Sequence, residues 1–541
     1  MDTSVKKEPI LYVFISLMAI LGIVELLIST HWGPGIGGDA TIYITSARNL
    51  LAGIGIGLIQ PDGSFRLIPY FPPFFPLVLS LIGLTGADLV ESAHWLNMLL
   101  FGGLVWLAGS LTYRVSRSAL LAGIMAALLA VSPILIPVYS WAMAEPLSIF
   151  CGILGLVLLV DYLHQPKRTG LLIFSGLLAG LAFLTRYSAV AYLAAGWVGL
   201  LVFSKNRWQE RLVKSLVYLA SGLWPMIVWV IYDVSKTATL ASRSLETGGG
   251  MASRIVSMLI PIKNIILRWL LPDSWIASPR YPASINLLVD ILFVLGMLLW
   301  FGLIIWKLNK KTDKIENQDL FQLLILLTLF ILAYLGIIFV VYITTYPPIT
   351  IDDRMFSPIH IAILWIIVLL AGLTLNLWPA WRWLKFGLPV LLILFVGAYG
   401  WRSMRIINQN YDLGLGYTSP KWRESQTVQT LKAMPANSTI VTNETMAVLF
   451  LTGRIAYPYA EIYLNKPLAV YSEYGNGDLS TDTAQRLFRE HKAALVLFDS
   501  LSSQLESIYG DQTAQRIREL TDGLQVSFKG SDGMIYYYPT Q

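Results

Sequence analysis

The chain has 541 residues, of which 55% are hydrophobic and only 13% are charged, and its mean hydropathy is +0.62. This composition is too apolar for a soluble globular protein and predicts an integral membrane protein. The net charge of +6 is spread over many loops, which argues against nucleic-acid binding. The single cysteine, Cys151, excludes an intrachain disulfide and a cysteine-based metal site.

Hydropathy predicts a polytopic α-helical membrane protein with about eleven transmembrane helices of about twenty residues each. The first apolar segment has no small-residue cleavage pattern, so we expect a retained helix rather than a signal peptide. The predicted spans are residues 10–30, 92–113, 118–135, 144–163, 169–185, 187–204, 212–232, 286–307, 319–343, 357–377 and 383–401.

Lysine and arginine are concentrated in alternate loops between these spans. The positive-inside rule therefore predicts a cytoplasmic N-terminus and places the loops at 33–90 and 233–285 and the C-terminus outside. We expect the chain to reside in the plasma (inner) membrane, with residues 1–401 forming the transmembrane module.

The first external loop, residues 33–90, contains a carboxylate directly after the first span. Gly37 and Gly38 free the backbone before Asp39, and a helix-compatible run follows, so Asp39 stands at a predicted helix N-cap. The apolar run from Phe74 to Leu84 is too short to span a bilayer and predicts an interfacial helix. Asp39 is thus either a helix cap or a catalytic group at the membrane surface.

The motif Gly-Gly-Asp-Ala-x-x-Tyr at 37–43, followed by the proline cluster at 69–76, resembles the first external loop of polytopic GT-C glycosyltransferases. Protein O-mannosyltransferases and the aminoarabinose transferases of lipid A belong to this superfamily. The resemblance implies a GT-C-like fold, a catalytic or donor-positioning role for Asp39, and a sugar carried on a polyprenyl phosphate. The chain departs from the mannosyltransferases at Ala40, where they have a second acid, and from the aminoarabinose transferases at Pro69-Tyr70-Phe71, where they have an acidic-basic pair.

Glu145 is the second candidate carboxylate, and it stands in the first turn of the predicted span at 144–163, before Pro146. The helix dipole favours an acid at this position, so a purely structural role is one interpretation. An acid at the lipid boundary is costly unless it is used, and the resemblance implies that an acid followed by Pro-Leu faces the catalytic cavity.

Arg186 is a candidate for binding the donor phosphate, because a guanidinium offers a planar fork of donors to an anionic oxygen. The resemblance implies the same role for Arg354, which stands before Phe-Ser-Pro at 356–358. Snorkelling to the lipid headgroups is the alternative for Arg186. Lys263 and Arg268 are weaker candidates on an amphipathic segment after three glycines at 248–250, which suggests either a mobile lid or a passive interfacial helix.

The loop at 344–356 carries Asp352 and Asp353 next to Arg354. The two carboxylates could neutralise the arginine as a surface pair, which contributes about 0–1 kcal/mol. Two adjacent carboxylates without further ligands are a poor cation cage, so the sequence predicts no cofactor with certainty and leaves a divalent metal open.

The composition becomes polar from Arg402 onwards, with a predicted linker at 402–419. Residues 420–541 alternate helical patterns with short β-rich runs at 439–442, 493–498, 524–528 and 534–538. This pattern predicts a soluble external α/β domain.

Together these features predict an inverting glycosyltransferase that moves a sugar from a polyprenyl-phosphate donor to an external glycolipid, polysaccharide or protein. A lipid or sugar transporter or flippase is an alternative, although the charges stand at the span ends and no internal repeat is found. A non-catalytic envelope scaffold is a further alternative. Besides the catalytic and phosphate-binding candidates, the residues expected in the substrate pocket are Tyr43, Tyr70, Tyr187 and Asp353.

Overall fold

The computed structural model is mainly helical. The described residues are 7–69, 71–204, 207–237, 244–245, 251–270, 295–296, 299, 302, 318–346, 349–377, 382–459, 487–488 and 490–539. The predicted span at 286–307 therefore lies almost entirely outside the described residues, and the glycines at 248–250 and Tyr70 lie outside them completely.

Fourteen described helices form the part of the chain before the C-terminal sheet. They are α1 (Lys7–Ser29), α2 (Gly38–Leu51), α3 (Phe74–Gly83), α4 (Leu89–Ser116), α5 (Ala119–Ala130), α6 (Leu135–Ser140), α7 (Glu145–His164), α8 (Thr169–Phe183), α9 (Val190–Phe203), α10 (Trp208–Thr237), α11 (Met251–Leu270), α12 (Gln318–Thr344), α13 (Asp353–Leu377) and α14 (Arg382–Leu413).

Seven of these helices, α1, α4, α7, α10, α12, α13 and α14, are long and apolar enough to cross a membrane. Each coincides with a predicted span, and the chain is an integral membrane protein. The predicted spans at 118–135, 169–185 and 187–204 coincide with shorter apolar helices. Helix α3 has ten residues, which at 1.5 Å per residue cover about 15 Å, half the thickness of the hydrocarbon core.

The bundle has two distinct polar ends. Helix α7 runs for twenty residues from Glu145 to His164, a length of about 30 Å that matches a bilayer core. At the His164 end, Arg114 binds Asp161 at 2.5 Å and the His164 ring lies 3.4 Å from Asp319. The termini of α4, α7 and α12 therefore meet at this end, whereas Glu145 stands at the other.

Helix α8 packs closely against α10, and this contact fixes the end of α8 from which the chain turns to Arg186. A methyl group built on Gly180 would lie 2.0 Å from the carbonyl oxygen of Gly222, so only glycine permits this approach. Immediately after α8, the Leu184 carbonyl accepts a hydrogen bond from the Phe74 amide at 3.1 Å. The turn at 184–186 is thus fixed between the bundle and the first loop.

The C-terminal part contains a five-stranded mixed sheet in the order β6-β5-β7-β9-β8. Strand β5 pairs in parallel with β6 and β7, whereas β9 is antiparallel to both β7 and β8. The strands are β5 (Thr439–Thr442), β6 (Tyr457–Pro458), β7 (Ala493–Phe498), β8 (Gln525–Lys529) and β9 (Gly533–Tyr537); β1 (Gly57–Ile59) pairs with β2 (Phe65–Leu67), and β3 (Ser244–Leu245) with β4 (Thr345–Tyr346).

Helices cover both faces of this sheet, because successive side chains of β7 point to opposite sides. Ala494 and Val496 pack in one cluster with Val448, and Leu495 and Leu497 pack in the other. The helices are α15 (Pro420–Arg423), α16 (Gln426–Ala433), α17 (Thr445–Thr452), α18 (Ser500–Tyr509) and α19 (Thr513–Thr521). The predicted β-rich runs coincide with β5, β7, β8 and β9 to within one residue, while the external location of the sheet stays a prediction.

Candidate active site

Asp39 and Glu145 are placed side by side by a short parallel pairing of the segments that precede them. Gly35 bridges to Trp141, with the Gly35 amide donating to the Ser140 carbonyl at 2.8 Å and the Ala142 amide donating to the Gly35 carbonyl at 3.0 Å. Each carboxylate follows its bridge residue by four positions and stands in the first turn of its helix, α2 or α7. The bridge therefore brings together two carboxylates that are far apart in sequence.

Two arginines connect these carboxylates. Arg354 Nη1 donates to Asp39 Oδ2 at 2.9 Å, and its Nε lies 3.2 Å from Glu145 Oε1. Arg186 Nη1 lies 2.9 Å from the same Glu145 oxygen. Asp352 Oδ2 lies 3.6 Å from Arg354 Nε and accepts the Met355 amide through its other oxygen. Four sequence-predicted residues from α2, α7, α13 and the turn before α9 thus form one charge cluster.

The two carboxylates have different surroundings. The Glu145 side chain is 4% exposed and receives both guanidinium groups on one oxygen, whereas the Asp39 side chain is 33% exposed and contacts Arg354 alone among the ion pairs found. A charge this deeply buried depends on its partners for solvation. Glu145 is therefore suited to hold the two arginines, and Asp39 is suited to meet a molecule that enters from solvent.

A groove of about 370 Å³ opens next to Arg354. The polar side chains that line it, which we call its polar wall, are Arg268, Asp353, Arg354 and Arg402, and the apolar ones are Pro133, Ile134, Pro137, Val138, Trp141, Met143 and Ile406. Arg268 Nη1 binds Asp353 Oδ2 at 2.8 Å. A groove lined by both cations and apolar side chains has the chemistry to hold an amphiphilic phosphate.

The tyrosines predicted for the substrate pocket lie in different places. Tyr43 follows Asp39 by one turn of α2 and is buried, and its hydroxyl makes no hydrogen bond among the described residues. Burial raises the pKa of the Tyr43 phenol above its usual range, so it is a neutral hydrogen-bonding group. Tyr187 instead donates to the Pro69 carbonyl at 2.6 Å and braces the first loop. Tyr70 lies outside the described residues.

The two basic residues of α11 that were predicted to bind phosphate also differ in their position relative to the groove. Arg268 lines the groove, whereas Lys263, five residues earlier, is not among the side chains that line it. The last carbonyls of α11 are bonded to α14: Arg402 Nη2 donates to Arg268 O at 2.5 Å and the Tyr399 hydroxyl donates to Trp269 O at 2.8 Å. These bonds satisfy two of the carbonyls that a helix end leaves without partners.

Three residues at the site were not predicted from the sequence. Met143 places its Sδ 3.6 Å from Arg354 Nη1, Arg402 lines the groove, and Tyr334 donates from its hydroxyl to the Met355 carbonyl at 2.8 Å. Arg402 could have been found as a basic residue at the external end of the last predicted span. Met143 and Tyr334 carry no such signal, because one is apolar and the other lies within an apolar span.

A metal site receives no support from the part of the chain that is described. Its His, Cys, Asp and Glu side chains form no group of three or more that could hold a metal ion. The carboxylates at the candidate site are instead paired with arginines.

Comparison with known proteins identifies the fold. No protein-family model matches the sequence, and no curated protein is significantly similar to it. ArnT from Cupriavidus metallidurans, in its complex with undecaprenyl phosphate, aligns with a TM-score of 0.51 and 12% identity over 97% of this chain and 98% of its own. The oligosaccharyltransferase of Archaeoglobus fulgidus, in complex with Zn and sulfate, aligns with a TM-score of 0.51 and 11% identity over 96% of this chain and 73% of its own. The chain therefore has the GT-C fold of polytopic membrane glycosyltransferases, as the resemblance of its first external loop implied.

Proposed function

We propose that the chain is an inverting glycosyltransferase that takes its sugar from a polyprenyl-phosphate donor and transfers it to an acceptor at the external membrane surface. The observation that carries this proposal is the cluster of Asp39, Glu145, Arg186 and Arg354 beside a groove lined by both cations and apolar side chains. The similarity of fold to ArnT, whose structure contains undecaprenyl phosphate, supports the choice of donor class.

Asp39 is the proposed general base. It accepts the proton of the acceptor hydroxyl while the hydroxyl oxygen bonds to the anomeric carbon and the bond from that carbon to the phosphate oxygen breaks. The polyprenyl phosphate leaves with the bonding electrons, and the sugar inverts its configuration. A positioned base of this kind contributes about 10²–10⁴-fold to the rate.

Arg354 and Arg268 are the proposed phosphate ligands, because both lie on the polar wall of the groove. Negative charge grows on the phosphate as the bond breaks, and fixed guanidinium donors stabilise it. Arg354 Nη1 is bonded to Asp39, so a phosphate oxygen that binds this nitrogen competes directly with the carboxylate. Donor binding would then release Asp39 from its ion pair and leave the carboxylate free to accept the proton of the acceptor hydroxyl.

Glu145 and Arg186 have supporting roles in this proposal. Both arginines converge on Glu145 Oε1, so the charge of the buried carboxylate holds the two guanidinium groups close to each other. Tyr43 lies one turn after Asp39 on α2, and its hydroxyl, which makes no hydrogen bond among the described residues, can bind a substrate oxygen or an ordered water.

The test is transfer of radiolabelled sugar from polyprenyl-phosphate donors to membrane extracts, comparing the purified wild-type chain with Asp39→Asn. We expect kcat to fall at least 100-fold, because the amide keeps the shape of the side chain and loses its basicity. Binding of undecaprenyl phosphate should remain. Asp62→Asn is the matched control: Asp62 is an exposed carboxylate of the same loop whose oxygen accepts from the Ser64 amide.

Two outcomes contradict the proposal. Full activity of Asp39→Asn would reduce Asp39 to a structural residue and move the catalytic role to Glu145. Absence of transfer by the wild-type chain from every polyprenyl-phosphate donor tested would contradict the enzymatic function itself.

A further inference from the structure

The segment that leads to Asp39 lies between two neighbours, and the second of them comes from the C-terminal part of the chain. On one side, Gly35 pairs with Trp141, as described above. On the other side, Ile36 forms a parallel bridge with Gly416. Gly35 and Ile36 are therefore each joined to a neighbouring segment by a single bridge. We call residues 32–37 the middle strand, and the Asp39 helix begins directly at its end.

Residues 416–423, which we call the linker clamp, bind this middle strand through three hydrogen bonds. The Tyr417 amide donates to the Ile36 carbonyl at 2.8 Å, and the buried Thr418 hydroxyl donates to the Pro34 carbonyl at 2.7 Å. Arg423 Nη2 donates to the Trp32 carbonyl at 2.6 Å. All three bonds reach backbone carbonyls, so they fix the path of the chain towards Asp39.

Gly416 makes this pairing possible. Its φ is +55°, in the left-handed region that favours glycine, and a methyl group on it would lie 2.1 Å from the Ile36 carbonyl oxygen. Any side chain at this position must displace the strand of residues 32–37 or break the bridge.

The clamp is in turn connected to the C-terminal sheet. Glu444, two residues after β5, accepts hydrogen bonds from the Ser500 hydroxyl at 2.5 Å and from Gln504 Nε2 at 3.0 Å, and it also interacts with the Tyr417 side chain of the clamp. Helix α17 begins at the next residue, and its Met446 and Leu449 pack against Ile42 of the Asp39 helix. The sheet therefore touches α2 through the clamp and through α17.

We infer that the C-terminal part positions the Asp39 carboxylate, with Gly416 and Thr418 as positioning residues. The start of α2 depends on such outside contacts, because its N-cap residue is Gly37 and no side chain caps it. A displacement of about 1 Å of a reacting group costs about 100-fold in rate, so a small shift of this strand is sufficient to impair catalysis. The inference rests on the proposed function.

The test compares Gly416→Ala with Gly510→Ala in the full-length purified chain. Gly510 also has a positive φ, +52°, and no atom within 4 Å of an added methyl group, so the substitution strains the backbone there without touching the clamp. We expect hydrogen exchange of the peptide covering residues 33–43 to accelerate at least tenfold in Gly416→Ala only. We also expect its kcat to fall at least tenfold while the KM for the polyprenyl-phosphate donor changes less than twofold.

If Gly416→Ala does not fold, two less disruptive variants at Thr418 test the same inference. Thr418→Val removes the hydroxyl with little change of volume, and Thr418→Ser keeps it. We expect Thr418→Val to lower kcat and accelerate exchange at 33–43, and Thr418→Ser to retain wild-type values of both.

Two outcomes would overturn the inference. Equal exchange at 33–43 in Gly416→Ala and Gly510→Ala would show that the clamp does not hold this strand, whatever the chain catalyses. Faster exchange with unchanged kcat would show that the strand does not position Asp39. Because exchange is measured without a donor, failure of the clamp is distinguishable from a wild-type chain that transfers no sugar, which would instead contradict the proposed function.

Discussion

Glu145 is the residue that holds both arginines of the site. It is almost fully buried, and Arg186 and Arg354 approach the same oxygen at 2.9 and 3.2 Å. Removal of its charge would leave Arg186 without an ion-pair partner among the described residues and would leave Arg354 with Asp39 and Asp352, in a region of low dielectric constant. The buried carboxylate is therefore important for stability as well as for the orientation of the arginines.

We expect Glu145→Gln to lower the free energy of unfolding by about 3 kcal/mol, because it breaks a buried ion pair. The double variant with Arg186→Gln should recover part of this loss, since it removes the uncompensated charge. Thermal unfolding of the two single variants and the double variant in detergent measures the coupling energy. If the double variant loses as much unfolding free energy as the two single variants together, the ion pair between Glu145 and Arg186 is contradicted.

For single residues, the sequence was informative where a charged residue stood near the end of an apolar span. Asp39, Glu145, Arg186 and Arg354 were selected from such positions together with the resemblance to GT-C glycosyltransferases, and the structure brings them within ion-pairing distance. Tyr334 was not predicted, because its position depends on how α12 packs against α13, which a local pattern does not contain. Lys263 was predicted for its charge alone, and charge does not tell which side of α11 faces the groove.

Among the described elements, α8 packs closely against α10. Its Gly180 approaches the backbone of α10 at Gly222, and the chain that leaves α8 carries Arg186 to Glu145. Helix contacts of this kind rely on small residues, because backbones can then approach closely. The position of Arg186 is thus determined by a contact deeper in the bundle.

We expect Gly180→Ala to destabilise the chain by about 1–3 kcal/mol, because the added methyl group would force α8 and α10 apart. Arg186 would move with α8, so binding of undecaprenyl phosphate should also weaken. Gly170→Ala is the matched control on the same helix, since nothing lies within 4 Å of its added methyl group. Thermal unfolding and lipid-phosphate binding check both variants, and equal behaviour of the two would contradict the close contact.

The same elements show how far hydropathy predicts this fold. Hydropathy averaged over about twenty residues located the seven long helices, because each of them has a continuous apolar run of sufficient length. This average was less informative for α5, α8 and α9, which are shorter than a full span. The bridges from Gly35 and Ile36 were not predictable, because they join residues more than 100 positions apart.

At the scale of the whole molecule, the helical bundle has two polar ends, which lie one length of α7 apart. One end holds the charge cluster with Asp39 and Glu145, and the other holds the Arg114–Asp161 pair and His164. The basic loops predicted to be cytoplasmic, such as Lys167-Arg168 after α7, adjoin the second end. The orientation of the protein therefore decides on which membrane surface the proposed transfer occurs.

We expect the cluster to face the outside, and cysteine labelling tests this orientation. Cys151 is buried and can be replaced by serine, after which Lys167→Cys or Asp511→Cys supplies one exposed thiol. A membrane-impermeant maleimide should label Asp511→Cys in right-side-out vesicles and Lys167→Cys in inverted vesicles, because basic loops remain on the cytoplasmic side. The unlabelled Cys151→Ser chain is the control. The reverse pattern would place Asp39 and the groove on the cytoplasmic surface, and an external acceptor could then not reach the proposed base.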